Sequence, residues 1–277
     1  MEPLNNLRTL YRKDKNKYIL NDGFKLSSLY FLAIDESAGD SLVTCPANST
    51  INAQMSMDRS GTVDIRFFSS VATSDQYLIT IQESANRREM MNQPIHARSL
   101  FGKNGRYLEL PFPLFLGESL AFFFTITDLS GSTNYIRPAF VGTKYHFEGA
   151  LDRLYAQYPD SKIASPFFYT TNSPVSLAGS GSATAYITIL SSADFVLSSI
   201  IPYSTGAYKV KIYDALTSRA ITSGYIHSDN FGIAEYQRIF SGTVIQSGTT
   251  IRLDFVDLST STNNIYFTLA GVNYWIG

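Results

Sequence analysis

The chain repeats itself, and no other feature constrains its fold as tightly, because each copy of a repeated unit must bury a core of its own or share one with its neighbour. Residues 128–145 (DLSGSTNYIRPAFVGTKY) align without a gap on residues 257–274 (DLSTSTNNIYFTLAGVNY), and nine of eighteen positions are identical. Upstream, Tyr77–Ile81 matches Tyr208–Ile212, Arg88 matches Arg219, and the pair Ile95, His96 matches Ile226, His227. The offset drifts from 131 to 129 residues along the chain, as small loop differences would produce. Two copies of one domain follow, at 24–147 and 164–277, with 148–163 as a helical linker and 1–23 as an N-terminal arm.

Period-2 alternation predicts strands, since successive side chains in a strand face opposite sides. Tyr208, Val210 and Ile212 alternate with Lys209 and Lys211; Ile251, Leu253 and Phe255 with Arg252 and Asp254; Ile265, Phe267 and Leu269 with Tyr266 and Thr268. The first copy reads as strand at Met55–Phe68, Tyr77–Gln82 and Ala121–Thr127. Turn formers fall between them at Asp58–Gly61, Gly102–Gly105, Ser130–Ser132, Ser204–Gly206 and Ser247–Gly248. The pattern predicts an all-β protein of two tandem antiparallel β-sandwiches, jelly-roll or immunoglobulin-like, with a short helix ahead of each. Leu151, Leu154, Tyr155 and Tyr158 supply one helical face, closed by Pro159, and Leu4, Leu7, Leu10 and Tyr11 another.

Composition removes several functions. With 22 Lys and Arg against 23 Asp and Glu, no global field exists to hold nucleic acid or an anionic membrane. The basic stretch Arg12, Lys13, Lys15 and Lys17 in the arm reads as solvated charge. A lone Cys45 excludes an intramolecular disulfide and any thiolate-built metal centre. The first twenty residues interleave charge with apolar residues, unlike a secretory signal, and Leu110–Ile126 is broken by Pro111, Pro113, Gly117 and Glu118. Synthesis in a cytosol, with Cys45 reduced, is the expectation.

Candidate chemistry is sparse. Only His96, His146 and His227 could serve histidine catalysis, and two of these are repeat equivalents expected to bond a loop in each domain. Asp35, Glu36 and Asp40, and the repeated Asp128 and Asp257, could act as acid and base or hold Ca2+, but the DLSxST context of the repeated pair reads as turn capping. Gly179–Gly181 lacks the strand-to-helix setting of a phosphate loop, and Asn48–Thr50 matches a glycosylation sequon that reads as a turn. No catalytic, cofactor-binding or metal-ligating residue is assigned, and the chain reads as a non-enzyme.

The second copy is unusual on its surface: over 164–277 Ser and Thr make up roughly a quarter of the residues and charged residues about a tenth, far below the usual quarter. Low charge with abundant Tyr and Phe suits a domain that packs against other subunits.

The run Leu110–Leu120 (LPFPLFLGESL), the turn Asp128–Asn134 and the strand end Phe140–Gly142 together resemble a pattern in β-sandwich virion proteins of bacteriophages. The second copy repeats it at Ile245–Gly248, Asp257–Ser259 and Leu269–Gly271, but lacks the prolines, since FSGT stands at 240–243. The resemblance implies a structural component in or on the phage head, minor or decoration-type, at a vertex or neck, or a double-sandwich shell protein. Its partners would be itself and other virion proteins, with the arm contacting a neighbour, and it carries over no catalytic residue. Two other classes stand beside it: a carbohydrate- or receptor-binding protein, for which the single Trp275 would be a stacking platform if not core, and a hydrolase with a cleft near His96 and Asp128.

Overall fold

The computed structural model describes residues 27–34, 42–57, 61–84, 88–102, 107–117, 120–146, 149–157, 160, 163–231 and 238–275. The first sandwich comprises β1 (Ser27–Ala33), β2 (Val43–Cys45), β3 (Thr50–Ser56), β4 (Thr62–Ala72), β5 (Tyr77–Glu83), β6 (Ile95–His96), β7 (Tyr107–Leu116), β8 (Ala121–Asp128) and β9 (Asn134–Tyr145). A one-turn helix, α1 (Ala97–Phe101), follows β6, and α2 (Ala150–Gln157) follows β9. One sheet runs β1-β9-β4-β7, with β2 also on β9; the other runs β3-β8-β5-β6. Most consecutive strands therefore cross from sheet to sheet, and the first strand pairs with the last. Of the two sandwich wirings the alternation allows, this is the jelly roll.

The second sandwich comprises β10 (Ala164–Thr170), β11 (Val175–Leu177), β12 (Ser182–Thr188), β13 (Ala193–Ile200), β14 (Tyr203–Ser204), β15 (Tyr208–Asp214), β16 (Ile226–His227), β17 (Arg238–Ile245), β18 (Thr250–Asp257), β19 (Asn263–Tyr266) and β20 (Thr268–Trp275). Its sheets β10-β20-β13-β17 and β12-β18-β15-β16 repeat the first wiring position for position, with a short third ladder, β11-β19-β14. A shared bulge marks the duplication: β4 slips register between Ile65 and Phe67, and β13 between Leu197 and Ser199. The repeated glycine of the closing strand sits against each bulge, where a Cβ on Gly142 would lie 2.0 Å from the Asp64 carbonyl oxygen and one on Gly271 2.2 Å from that of Val196.

Alternation delivers the cores. β5 and β18 bury every second residue. Phe68 stacks on Phe140 at 4.0 Å with Phe122 edge-on in one core, while Tyr169, Phe195, Phe255 and Phe267 fill the other.

Two readings need correction. Met55–Phe68 is not one strand: β3 ends at Ser56 in one sheet and β4 begins at Thr62 in the other. Ile265, Phe267 and Leu269 are all buried, as their alternation requires, but the ladder changes sheets at Phe267, between β19 and β20. Helix α2, within the stretch read as a linker, buries Ala150 and Leu154 and sets Tyr155 edge-on to Phe115 of β7, while Leu151 of the expected face is half-buried and Tyr158 lies outside the described residues. The helix expected at Leu4–Tyr11 and the arm lie outside the described residues.

The two sandwiches are joined by more than the linker. β10 is buried along its whole length because both its faces are covered: Phe167 and Tyr169 face their own core, while Phe168, with Ile201 and Ala270, packs into the core of the first sandwich. Its edge is covered as well. Phe168 N–H donates to the Met90 carbonyl at 2.9 Å, Asn92 N–H donates to the Phe168 carbonyl at 3.2 Å, and the Asn92 carboxamide bonds both the N–H (2.8 Å) and the carbonyl (3.0 Å) of Thr170. Residues 90–92 of the first sandwich thus act as a further strand on the sheet of the second.

Candidate functional site

His96 and His227 do the same local work. Each ends a short strand and accepts, through Nδ1, the N–H of the residue two further on: Arg98 at 3.2 Å in one case, Asp229 at 3.2 Å in the other. Both thereby cap the turn that follows, as α1 or as the 3-10 turn Ser228–Phe231. Their surroundings differ. His96 is buried at the junction between sandwiches, its ring 4.4 Å from that of Tyr203 and 4.3 Å from that of Tyr266. Burial lowers its pKa to about 3, with the Arg98 charge adding to the effect and Asp75 opposing it, so the imidazole is neutral. Its buried Nε2 has no hydrogen-bond partner among the described residues. Arg98, in an ion pair with Asp75, lies over the Tyr203 ring at 5.0 Å, and the Gln76 amide donates to the Tyr203 hydroxyl at 3.2 Å. The side chain of His227 is 43% exposed, with Nδ1 3.5 Å from the Asp229 carboxylate. His146 lies near Ser28, Nε2 to Oγ 3.2 Å. The structure does not bring the three imidazoles together.

Asp128 and Asp257 are fully occupied by turns. Asp128 accepts from the N–H groups of Asn48 and Gly131, both at 3.1 Å, and from the Ser130 hydroxyl at 2.7 Å. Asp257 accepts from the N–H groups of Ser180 and Ser259, both at 2.9 Å, and from the Asn263 amide at 2.9 Å. Asn48 and Ser180 occupy matching loops and share left-handed backbone, with φ of 53° and 60°. Asn134 and Asn263 extend each network to Ser74 and Gly206 in the loop before β5 or β15. Burial pushes both carboxyls up, but these donors outweigh it and hold them below the usual carboxylate range. The repeated motif is the clasp of three loops at one end of each sandwich.

The remaining candidates are dispersed. Cys45 is buried, with Sγ 3.5 Å from the Ser49 carbonyl. Ser49 closes a turn on Pro46, and Gly179–Gly181 turns directly into β12, with a strand on either side. Trp275 ends β20 packed on the second core, its Nε1 donating to Ser165 at 3.0 Å and Arg88 of the first sandwich 5.2 Å from its ring centroid. Asp35, Glu36 and Asp40 lie outside the described residues. Among the described residues no three His, Cys, Asp or Glu side chains gather as metal ligands, and no helix is long and apolar enough to cross a membrane.

No family model matches the chain, and no curated protein matches it in sequence. Among solved structures it is similar to a protein in the atomic structure of Sulfolobus turreted icosahedral virus, at 14% identity and TM-score 0.24, over 88% of this chain and 63% of that one. A subviral particle of infectious bursal disease virus VP2 follows at 7% identity and TM-score 0.24, over 90% of this chain and 41% of that one. Tripeptidyl peptidase 2 is similar at 9% identity and TM-score 0.23, over 91% of this chain and 26% of that one. The chain spans less than two thirds of the length of each.

Sequence reasoning missed two groupings: the aromatic junction around His96, and a row of outward side chains centred on Arg252. The second had a signal, since Arg252 and Asp254 alternate outward from β18, but their cross-strand neighbours follow only from the register.

Proposed function

We propose that the protein is a non-enzymatic structural subunit of a virus particle, of the bacteriophage class that its motifs resemble, making subunit contacts in or on the head. Its partners are then copies of itself and other virion proteins, with residues 1–23 as an arm that reaches a neighbour and the virion as its location. One observation carries the reading: the outer strands β1 (SSLYFLA), β3 (TINAQMS) and β12 (SATAYIT) hold no charged residue, although each is the last strand of its sheet among the described residues. Free-standing sandwiches guard long edges with charge, proline or bulges, because an open row of N–H and C=O groups pairs with whatever strand it meets. β7 follows that rule, with Glu109, Pro111 and Pro113. β1 does the opposite and leaves Leu29 72% exposed. Edges of this kind suit a lattice in which neighbours cover them. The His96 and Asp128 environments support the non-enzymatic part, since one imidazole is buried and neutral and both carboxylates are committed to backbone donors.

Light scattering during gel filtration, with and without residues 1–23 and with electron microscopy of the peak, tests the reading. A closed oligomer or shell that dissociates without the arm, and that Leu29→Lys weakens, is the expected result. A monomer at every concentration, both alone and with the other virion proteins, would overturn it.

A further inference from the structure

Strand register sets six side chains of the second sandwich side by side on the outer face of the sheet β12-β18-β15. Tyr186, Arg252 and Tyr213 form one row across the three strands, and Thr184, Asp254 and Lys211 form the next. Asp254 anchors them. Its Oδ1 accepts from Thr184 Oγ1 at 2.7 Å and from Arg252 Nε at 2.9 Å, and its Oδ2 accepts from the Tyr213 hydroxyl. Arg252 lies 5.3 Å and Lys211 5.5 Å from the centroid of the Tyr213 ring, and Tyr186 is 52% exposed. Only Nε of Arg252 is used in this network, so its two Nη nitrogens stand on an exposed face between two tyrosines with no hydrogen-bond acceptor among the described residues.

The duplication provides an internal control. At the same lattice positions the first sandwich carries Gln54, Phe123 and Gln82 in one row and Asn52, Thr125 and Thr80 in the other. The fold therefore stands without the charged and aromatic cluster, and folding alone does not account for it.

We propose that this face binds an acidic sugar, a saccharide unit bearing a carboxylate. A guanidinium with Nε already anchored offers its Nη groups as a positioned fork for a carboxylate, with little side-chain entropy left to lose. Tyr186 presents an exposed flat ring to the C–H face of a pyranose, while Tyr213, with Arg252 and Lys211 over its ring, holds the two cations beside it. Thr184, whose hydroxyl hydrogen is given to Asp254, leaves its oxygen to accept from a sugar hydroxyl, and Lys211 adds a second cation. A single-stranded nucleic acid would use the same aromatic and cationic groups, but it needs a track of cations along its phosphates. Here Asp254 sits in the middle of the patch, and the whole chain has a net charge of -1. Binding at this face does not require that the protein form a shell.

The test is ligand-observed NMR with isothermal titration on the full chain, using 3′-sialyllactose, a hyaluronan tetrasaccharide, lactose and an oligothymidylate as probes. Saturation transfer from the Tyr186 ring to one of the acidic saccharides, with lactose bound at least about tenfold more weakly, is the expected result. Arg252→Gln should weaken the acidic sugar about tenfold or more, the size of one charge-assisted contact, and Tyr186→Ala should remove the ring signal. Gln82→Ala, at the matching position of the first sandwich, should change nothing. Equal binding of lactose, binding of the oligothymidylate alone, no binding of either acidic probe, or binding indifferent to both variants while they melt like the parent would each overturn it.

Discussion

His96 of the first sandwich stacks on Tyr203 of the second, ring centroids 4.4 Å apart and planes inclined by 25°. The contact ties a titratable group to the junction, and burial there brings the folded pKa to about 3, whereas the unfolded chain protonates near the ordinary 6.5. Below that value the unfolded state binds the proton and the native state does not, so stability contributed by the neutral ring is complete above pH 6.5 and is lost as pH falls towards 3. His96→Asn keeps an acceptor for the Arg98 N–H and removes the titration. Urea midpoints at pH 7.5 and 5 should fall on acidification in the parent and fall less in the variant. Equal slopes would show that His96 is not protected from protons in the native state.

Tyr77 and Tyr208 occupy equivalent core positions with unequal hydroxyls. Tyr77 shares a 2.8 Å hydrogen bond with Ser70, whereas the buried Tyr208 hydroxyl has no partner among the described residues. Tyr77→Phe strands the Ser70 hydroxyl and should cost about 1–3 kcal/mol, while Tyr208→Phe removes an unsatisfied group and should be neutral or stabilising by up to about 1 kcal/mol. Chemical denaturation of both variants decides it; equal losses would contradict the difference.

These asymmetries mark where sequence reading stops. Strands with one face in a core were legible, as at Tyr208–Ile212 and Ile251–Phe255, and so were the twin clasps at Asp128 and Asp257, because each depends on local pattern. β10 was not legible: Ala164–Thr170 shows no alternation, since the first sandwich covers the face that would otherwise meet water. Ile95, His96 and Ile226, His227 are the same words with the same capping geometry, yet only docking of the second sandwich buries the first imidazole. The Tyr186, Arg252, Tyr213 row needs strand order and register, neither of which a periodicity carries.

Gly142 and Gly271 are required by the bulges they face. A methyl at either would lie within 2.2 Å of a backbone carbonyl oxygen, so only movement of the strand can admit it. Gly142→Ala and Gly271→Ala should each destabilise by about 3 kcal/mol or more, beyond ordinary overpacking. Gly149→Ala, at a positive φ of 73° but with open space around the new Cβ, should cost about 1 kcal/mol. Thermal melts that rank Gly149→Ala as the most damaging would refute the close-approach argument.

The carboxylates of Asp128 and Asp257 are held below the usual range by their donors, so the stability they contribute is present above the ordinary pKa of 3.8 and lost as pH falls through the lower folded value. Asp257→Asn retains the size and forfeits the charge-assisted bonds to Ser180 and Ser259, at an expected cost of about 1–3 kcal/mol near neutral pH. The gap between parent and variant should narrow below pH 3. A gap that is constant with pH would mean that the charge is not what the clasp uses.

Asn92 is the hinge pin of the junction. Its carboxamide meets both backbone groups of Thr170 and continues the pairing begun by Met90 and Phe168, so that the edge of the second sandwich is finished by the first. Asn92→Ala leaves a buried edge with an unpaired donor and acceptor, which should cost about 1–3 kcal/mol. The loss falls on the coupling between the sandwiches and not on either core, so calorimetry should show the parent melting in one transition and the variant in two, the second sandwich separating from the first. A variant that still melts in one transition, merely lower, would place the coupling in the apolar contact of Phe168, Ile201 and Ala270 with the first core; Phe168→Ala would then split the melt where Asn92→Ala did not.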